Sequence, residues 1–367
     1  MAYCLLCIWA ARRYSAVSKL LLPDASDLPP VSLLKPLKGT DPEMYESFRS
    51  HCVQDYPAYE ILFGVSEPND PATELVERLQ REFPQRSIRL VLCEKNLGAN
   101  GKVSSLVQLA AEAKHAVFLV NDSDIRVAPD YLRTVMVELQ APSVGLVTCL
   151  YRGVATKTIA SRLESLGIST DFVPGVLVAK EIEGGLHFGL GSTLAFRRAD
   201  LDAIGGFESI VDYLADDYEL GKRIAERGFK VVLSSSVVET FLPAYSFSGF
   251  FAHQLRWART IRVSRPGGYA GLLLTYTLPW ATLCLLIARG AMWAWTLLGI
   301  AWVLRNSLAW ASTVFVLRDP DAIRWIWLLP LRDFLAPVIW LAGWLGRKIV
   351  WRGQEFELRN GKLRPLG

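Results

Sequence analysis

The chain has 367 residues, 51% of them hydrophobic, with a mean hydropathy of +0.24 and a formal net charge of +4. That length admits one large catalytic domain plus a membrane region. The hydropathy is high for a purely soluble protein, and the small net charge gives no argument for a nucleic-acid partner. The apolar excess collects after Tyr269 and in a short run at the N-terminus. Basic residues cluster on both sides of the apolar C-terminal third, where they would face anionic lipid.

Met1 to Ala11 is apolar and is followed by Arg12 and Arg13. It is shorter than the roughly 20 residues that span a bilayer and lacks the basic start and cleavage site of a signal peptide. We read 1–13 as a partial membrane segment, the end of a helix cut short at its start. Cys4 and Cys7 lie in it and have no second Cys/His pair to complete a metal site, so they read as membrane residues. Cys52, Cys93, Cys149 and Cys284 are scattered, as in a reduced, cytosolic chain. Residues 14–30 form a linker, rich in Pro, Asp and Ser from Asp24 to Pro30.

Val31 to Leu34, stopped by Lys35-Pro36, reads as a buried first strand. Helical spacing follows over Asp41 to Gln54, then a strand over Glu60 to Val65 and a loop from Ser66 to Pro71. Ala72 to Glu82 is a helix, Ile88 to Cys93 a strand, Asn96 to Gly101 a Gly/Asn loop and Lys102 to Ala113 a helix. The apolar strand Ala116 to Val120 runs into Asn121-Asp122-Ser123-Asp124. Strands alternating with helices imply βαβ units and a mostly parallel sheet, whose ligands bind beyond the strand carboxyl ends. Val144 to Leu150 is a further strand, and Thr158 to Ser169 an amphipathic helix. Asp171 to Ala179 is apolar, and Gly191-Ser192-Thr193 is a small-residue run. A short helix over Asp200 to Ile204 and one over Asp216 to Arg227 precede a strand from Lys230 to Ser234.

Tyr269 to Ala288 reads as a membrane helix. Ala291 to Leu317 is a second, interrupted by Arg305 and Asn306. Trp325 to Leu345 is a weaker third, broken by Pro330, Arg332, Asp333 and Pro337. Polar residues inside such segments are costly and should face a cavity or another helix. The expected organisation is a cytosolic catalytic domain over 31–265, transmembrane or re-entrant helices over 266–347 and a basic tail over 348–367. The basic tail suggests a cytosolic C-terminus and an even number of crossings.

Asp122 and Asp124 stand two residues apart after a buried strand, where a hard Mg²⁺ or Mn²⁺ would bridge them to a sugar diphosphate and stabilise the leaving group. The same residues also suit a turn or helix cap before Pro129. Asp216-Asp217 opens a helix, either as first-turn acids on the dipole or with a general base among them. Glu67 and Asp70 follow the second strand, as uridine or ribose contacts or as a turn. His253, Arg256 and Trp257 precede the first membrane segment. Their surroundings read as a positive-inside helix, or as a diphosphate contact from Arg256 beside an acceptor wall from Trp257.

The strings VSLLKPLKG, YEILFGVSEPNDPA, VNDSDIRVAPDYL, YLADDYELGKRIAERGF and HQLRWARTIR occur in one order, and the tail adds Val350-Trp351-Arg352-Gly353. Together they resemble the ceramide glucosyltransferase family of inverting transferases over about Val31 to Arg364. Bacterial relatives in that family act on ceramide or on hopanoid polyols. The resemblance implies a GT-A (nucleotide-diphospho-sugar transferase) α/β domain followed by C-terminal transmembrane helices. It implies a divalent cation at Asp122 and Asp124, a base at Asp217, and a (Gln/Arg)xxArgTrp motif at His253, Arg256 and Trp257. Lys35, Pro36, Glu67, Asp70, Lys102, Asp122, Asp216 and His253 are the candidate substrate-binding residues. His253 stands where Gln or Arg is usual and Glu67 where Asp is usual. Asp124 stands where the animal enzymes have Gly, which favours the bacterial branch. The implied partners are a UDP-sugar, carrying glucose or N-acetylglucosamine, a membrane lipid acceptor and the bilayer, in a bacterial inner membrane. A processive polysaccharide synthase, a polyprenyl-phosphate transferase and a non-catalytic membrane receptor are the rival readings.

Overall fold

The computed structural model describes residues 1–16, 27–351 and 353–366. Most of the expected linker, and Arg352 of the tail, lie outside the described residues.

The first half alternates as the sequence implies: β1 (Val31–Pro36), α2 (Met44–Cys52), β2 (Tyr59–Val65), α3 (Ala72–Glu82), β3 (Ser87–Leu92), α4 (Gly101–Glu112) and β4 (Val117–Val120), preceded by α1 (Ala2–Ser15). The strands lie parallel in the order β3-β2-β1-β4. Side chains alternate between faces with a period of two. Leu33, Ile61, Phe63 and Leu119 pack with Phe48, Val76 and Leu132 on one face. Leu34, Leu62, Phe118 and Val120 pack with Leu106, Leu109 and Ile224 on the other. Burial on both faces explains why these strands read as unbroken apolar runs. The chain direction away from β1 reverses between β1 and β4, and a ligand crevice opens beyond their carboxyl ends at such a switch point.

The second half continues the sheet with β5 (Ile125–Arg126), α5 (Tyr131–Leu139), β6 (Val144–Val154), α6 (Ile159–Gly167), α7 (Val173–Ile182), β7 (Leu194–Arg197), α8 (Arg198–Ala203), α9 (Asp216–Glu226) and β8 (Lys230–Phe241). The full order is β3-β2-β1-β4-β7-β6-β8-β5, with β7 antiparallel to both neighbours and β6 parallel to β8. A single π turn over 168–172 joins α6 to α7, so the helix and the apolar segment expected there form one helical run. β8 runs on to Phe241, well past Ser234. The Ser234-Ser235-Ser236 run hides the strand in the sequence, but a register shift against β6 lets the pairing continue.

The helical part comprises α10 (Phe247–Ser264), α11 (Pro266–Gly271), α12 (Thr277–Ile287), α13 (Met292–Trp310), α14 (Pro320–Arg324) and α15 (Leu329–Trp344). The expected Tyr269–Ala288 span is bent by 52° between Pro266–Thr275 and Thr277–Ile287. Among the described residues only Ile326–Trp344 is, by itself, a helix long and apolar enough to cross a membrane, by length and composition. That inverts the order of strength the sequence suggested. Arg305, Arg332 and Asp333 are buried, and Arg305 of α13 pairs with Asp333 of α15 at 2.6 Å, whereas Asn306 is half-buried and donates to the Trp302 carbonyl of its own helix. Leu274, Leu286, Ile287, Met292, Trp293 and Trp302 are exposed on the outside. α1 packs against α7 and α13, and Cys4 and Cys7 are buried free thiols.

The C-terminal segment is an antiparallel sheet of β9 (Lys348–Trp351), β10 (Gln354–Arg359) and β11 (Lys362–Pro365). Its apolar positions Ile349, Phe356, Leu358 and Leu363 close over Leu214, just ahead of α9. Leu363 N–H donates to the Asp212 carbonyl at 2.8 Å and Leu214 N–H to the Gly361 carbonyl at 3.1 Å. Arg262 of α10 donates to the Gly343 carbonyl at 2.7 Å and the Gly346 carbonyl at 3.0 Å.

Candidate active site

β4 delivers the acidic loop, and Asn121 anchors it. This buried amide donates to Tyr131 Oη at 2.9 Å and to the Ser192 carbonyl at 2.7 Å. Asp122 N–H then donates to the Gly191 carbonyl at 3.3 Å, and Gly191 N–H donates to Asp217 Oδ2 at 2.8 Å. Gly191 is thus the stitch between the strand-end acid and the first turn of α9. A Cβ on it would lie 2.9 Å from Asp122 Oδ2 and 3.4 Å from Asp217 Oδ2, so any side chain here would force the Asp122 carboxylate to shift. On the other side, Asn100 caps α4 by accepting from Val103 N–H at 3.2 Å. This aims Lys102 at the acids: its Nζ lies 2.8 Å from Asp122 Oδ1 and 3.1 Å from Asp216 Oδ2.

Asp217 and Asp124 are half-open at the cavity wall and enclosed by protein elsewhere. Enclosure raises the Asp217 carboxyl to about 6, with the neighbouring Asp216 adding to the rise and Lys102 opposing it. Asp124 is likewise pushed up to about 6 by enclosure and by Asp122, while Thr240 donates to it and opposes the rise. Enclosure disfavours the Lys102 ammonium, but Asp122, Asp216 and Asp217 together hold its pKa above the usual lysine range. The two carboxylates that open α9 therefore differ. Asp216 is an ion-pair partner, whereas Asp217 accepts, among the described residues, only from backbone N–H groups, those of Gly191 and Tyr218, each at 2.8 Å, and protonates at about 6.

One cavity of about 1710 Å³ contains Pro36, Lys102, Asp122, Asp124, Asp216, Asp217, His253, Arg256 and Trp257 in its wall. α10 presents the last three, capped at its start by Ser246, whose Oγ accepts from Gly249 N–H at 3.1 Å. His253 Nδ1 lies 3.2 Å from the buried Glu164 Oε1. The His253 ring packs between Tyr245 and Trp257. Trp257, Phe172 and Tyr151 then form an aromatic wall, with centroids 5.7 Å and 5.1 Å apart.

Three expected residues lie outside this wall. Lys35 is fully buried at the end of β1, and burial lowers its ammonium to about 7. Its Nζ has no hydrogen-bond partner among the described residues. Asp70 accepts from Gly39 N–H at 2.9 Å and Ala72 N–H at 2.9 Å, and so fixes a turn; Glu67 is exposed beside it. The sequence reading missed Asp41, which accepts from Ser123, the role of Gly191, and the aromatic wall. The Gly191-Ser192-Thr193 run was the available signal, since small residues mark close backbone approach.

The model of glycosyl transferase family 21 matches residues 1–364. The chain belongs to glycosyl transferase family 21. This family 21 chain is 25% identical over 351 residues to ceramide glucosyltransferase 3 of Caenorhabditis elegans, covering 92% of the chain and 74% of that protein. It is 24% identical over 345 residues to ceramide glucosyltransferase 1 of the same organism, covering 91% and 72%. Among solved structures, a mannosyltransferase from Pyrobaculum calidifontis in complex with GDP-Man and Mn²⁺ superposes with a TM-score of 0.57 at 22% identity, covering 94% of each chain. The fold is GT-A-like, and the family 21 protein is a hexosyltransferase.

Proposed function

We propose that this family 21 enzyme moves glucose or N-acetylglucosamine from a UDP-sugar, with inversion, to a hydroxyl of a membrane lipid, ceramide or a hopanoid polyol. The observation that carries this reading is the cavity of about 1710 Å³. It joins the strand-end acids Asp122, Asp124 and Asp217 to a wall of aromatic and helical residues that includes Trp257, Tyr269 and Trp340. A soluble nucleotide and a lipid tail then meet across one base.

In this mechanism Asp217, deprotonated above pH about 6, takes the acceptor hydroxyl proton. The acceptor oxygen bonds to the anomeric carbon as the bond from that carbon to the diphosphate oxygen breaks, and UDP leaves on the opposite face. Arg256 balances charge on the diphosphate, a type of help worth about 3–4 kcal/mol per well-placed group. Lys102 holds Asp122 and Asp216 in place, and Trp257 walls the acceptor. The described residues contain no group of three or more His, Cys, Asp or Glu that would hold a metal alone. Asp122 and Asp124 instead suit Mg²⁺ or Mn²⁺ bound by one or two carboxylates together with substrate phosphates, and such an ion supplies charge neutralisation for the leaving diphosphate. Pro36, at the strand-end crevice, suits the donor side, and His253 supports Trp257. Lys35, Glu67 and Asp70 lie outside the wall and are given no contact with the donor, Lys35 being buried and Asp70 fixing the turn at Gly39.

The catalytic unit is 31–265, and 266–347 meets the bilayer, consistent with the exposed tryptophans and aliphatics of α12 and α13. The packing of the C-terminal sheet on Leu214 supports a topology in which residues 348–366 lie on the same side of the bilayer as the catalytic unit. We place that side in the cytosol, at a bacterial inner membrane, where UDP-sugars are found. The test is transfer of labelled sugar in membranes with solvent extraction. Label in an extractable lipid supports the reading; label in a lengthening water-soluble polymer favours a polysaccharide synthase.

A further inference from the structure

Four charged side chains lie where α13 and α15 meet the π turn between α6 and α7, and the mechanism above uses none of them. Arg305 is partnered at every guanidinium nitrogen. Its Nε reaches both Asp333 oxygens at 3.0 and 2.8 Å, its Nη1 the Thr170 carbonyl at 2.9 Å, and its Nη2 Asp333 at 2.6 Å and Asp171 Oδ1 at 2.7 Å. Arg332 is not. It is 7% exposed, and its Nη2 donates to Gln254 Oε1 at 3.0 Å and lies 3.5 Å from Asp171 Oδ2. Its Nε and Nη1, and Asp171 Oδ2, have no hydrogen-bond partner among the described residues. A Cβ on Gly167 would lie 2.5 Å from Nε and 2.8 Å from Nη2. The Nε–Nη2 edge therefore rests on Gly167, and Nη1 is at the opposite side of the guanidinium. Arg332 and Asp171 line the same cavity as Asp122 and Asp217.

Burying a charged donor without a partner is costly, and ionisable groups in a membrane segment mark function by default. We propose that Arg332 Nη1 and Asp171 Oδ2 form a headgroup subsite for the acceptor. It takes an uncharged group that pairs a hydrogen-bond-accepting oxygen with a donating hydroxyl or amide N–H. This rests on the reading of the chain as a lipid glycosyltransferase. The charge balance selects the class. Arg305 and Arg332 are offset by Asp171 and Asp333, and Glu164 joins them through Gln254 at 2.8 Å. A phosphate would meet three carboxylates with no spare cation, and an ammonium would meet two guanidinium groups. A neutral amide or diol matches the donor and the acceptor that the two unmatched atoms offer, and reaching them requires the side chains to shift, since neither atom exposes surface in this conformation.

The experiment uses the full chain in lipid nanodiscs, with UDP-sugar and three acceptor probes: a ceramide, a long-chain alcohol with one hydroxyl, and a polyprenyl phosphate. We expect wild type to prefer the ceramide. In Arg332→Gln the KM for ceramide should rise about tenfold or more, as befits loss of a charged hydrogen bond. The KM for the single-hydroxyl alcohol and for the donor should move much less, and Arg332→Lys should restore part of the preference. Gly167→Ala keeps the charge but displaces the guanidinium, and should reproduce the ceramide-selective KM change even if Arg332→Gln does not fold. Unchanged acceptor discrimination in folded Gly167→Ala and Arg332→Gln, with lipid product still formed, overturns the subsite alone. Preference for polyprenyl phosphate also overturns it. Absence of any lipid product from wild type removes the lipid reading and the subsite together.

Discussion

Replacing Asp216 and Asp217 one at a time separates an ion-pair partner from a base. Asp217 rises from an ordinary 3.8 to about 6, first through enclosure and then through Asp216. A base works only when deprotonated, so kcat/KM should climb with pH through about 6. Asp217→Asn removes the proton acceptor, and kcat should fall about 10²–10⁴-fold. The new amide must present its NH₂ to one of two backbone N–H groups, losing a hydrogen bond of about 1 kcal/mol. Relief of the Asp216 repulsion offsets that loss, so folding should change little. Asp216→Asn takes one partner from Lys102 and one like charge from Asp217. The pKa of the base falls, and the acid limb should move to lower pH by part of the rise above 3.8, each unit corresponding to about 1.36 kcal/mol. Asp124 titrates in the same range, so Asp124→Asn serves as the control, in which the limb should keep its response to Asp216→Asn. The assay is initial-rate sugar transfer with product extraction across the pH range, plus calorimetric binding of the donor. Equal losses of turnover in both variants, or a limb that Asp216→Asn leaves in place, would refute this assignment of the base.

Three further outcomes follow from the same geometry. Asp122→Asn should abolish transfer in a folded, inserted protein, because a neutral amide is a poor ligand for a hard cation, with Asp124→Asn milder; full activity of Asp122→Asn in EDTA-treated membranes would contradict the cation assignment. Gly191→Ala should push Asp122 and Asp217 apart and lower kcat by about 10²-fold, the size of loss that a 1 Å misplacement causes, with donor binding by calorimetry largely retained; wild-type kcat would show that the stitch is not needed. Leu363→Ala removes buried surface from the C-terminal sheet, at a cost of about 2–5 kcal/mol, and should loosen the 212–214 segment. Faster local hydrogen exchange at Leu214 with lower kcat would bear this out, and unchanged exchange would count against it.

The parallel half of the fold was legible because its strands are buried on both faces and its helices are amphipathic. α2, α3 and α4 fall within a few residues of their expected bounds for that reason. The acidic loop and the α9 start were legible too, since each follows or opens an element with a clear period. What stayed hidden depends on contacts distant in sequence. The small-residue run at Gly191 marks a close backbone approach but not its partners Asp122 and Asp217, and Lys102 reaches Asp122 and Asp216 only once the sheet has formed. The C-terminal sheet read as a basic tail because Ile349, Phe356, Leu358 and Leu363 are spread among charged residues, and their partner Leu214 lies more than a hundred positions away. The bend at Tyr276 did have a local mark, Thr275-Tyr276-Thr277 followed by Pro279, which the apolar length of the stretch outweighed. The polar interruptions Arg305, Arg332 and Asp333 were read as facing a cavity or another helix, and they line the cavity while Arg305 and Asp333 pair between helices.

The central claim is that one cavity delivers a nucleotide-activated sugar to a lipid hydroxyl with inversion at the anomeric carbon. Its most direct test is to incubate the nanodisc-held enzyme with an α-linked UDP-sugar and a ceramide or long-chain polyol, extract the lipid, and read the anomeric configuration by NMR. The account predicts a β-linked glycolipid from wild type and none from Asp217→Asn. An α-linked product, or a water-soluble polymer in place of the glycolipid, would contradict it.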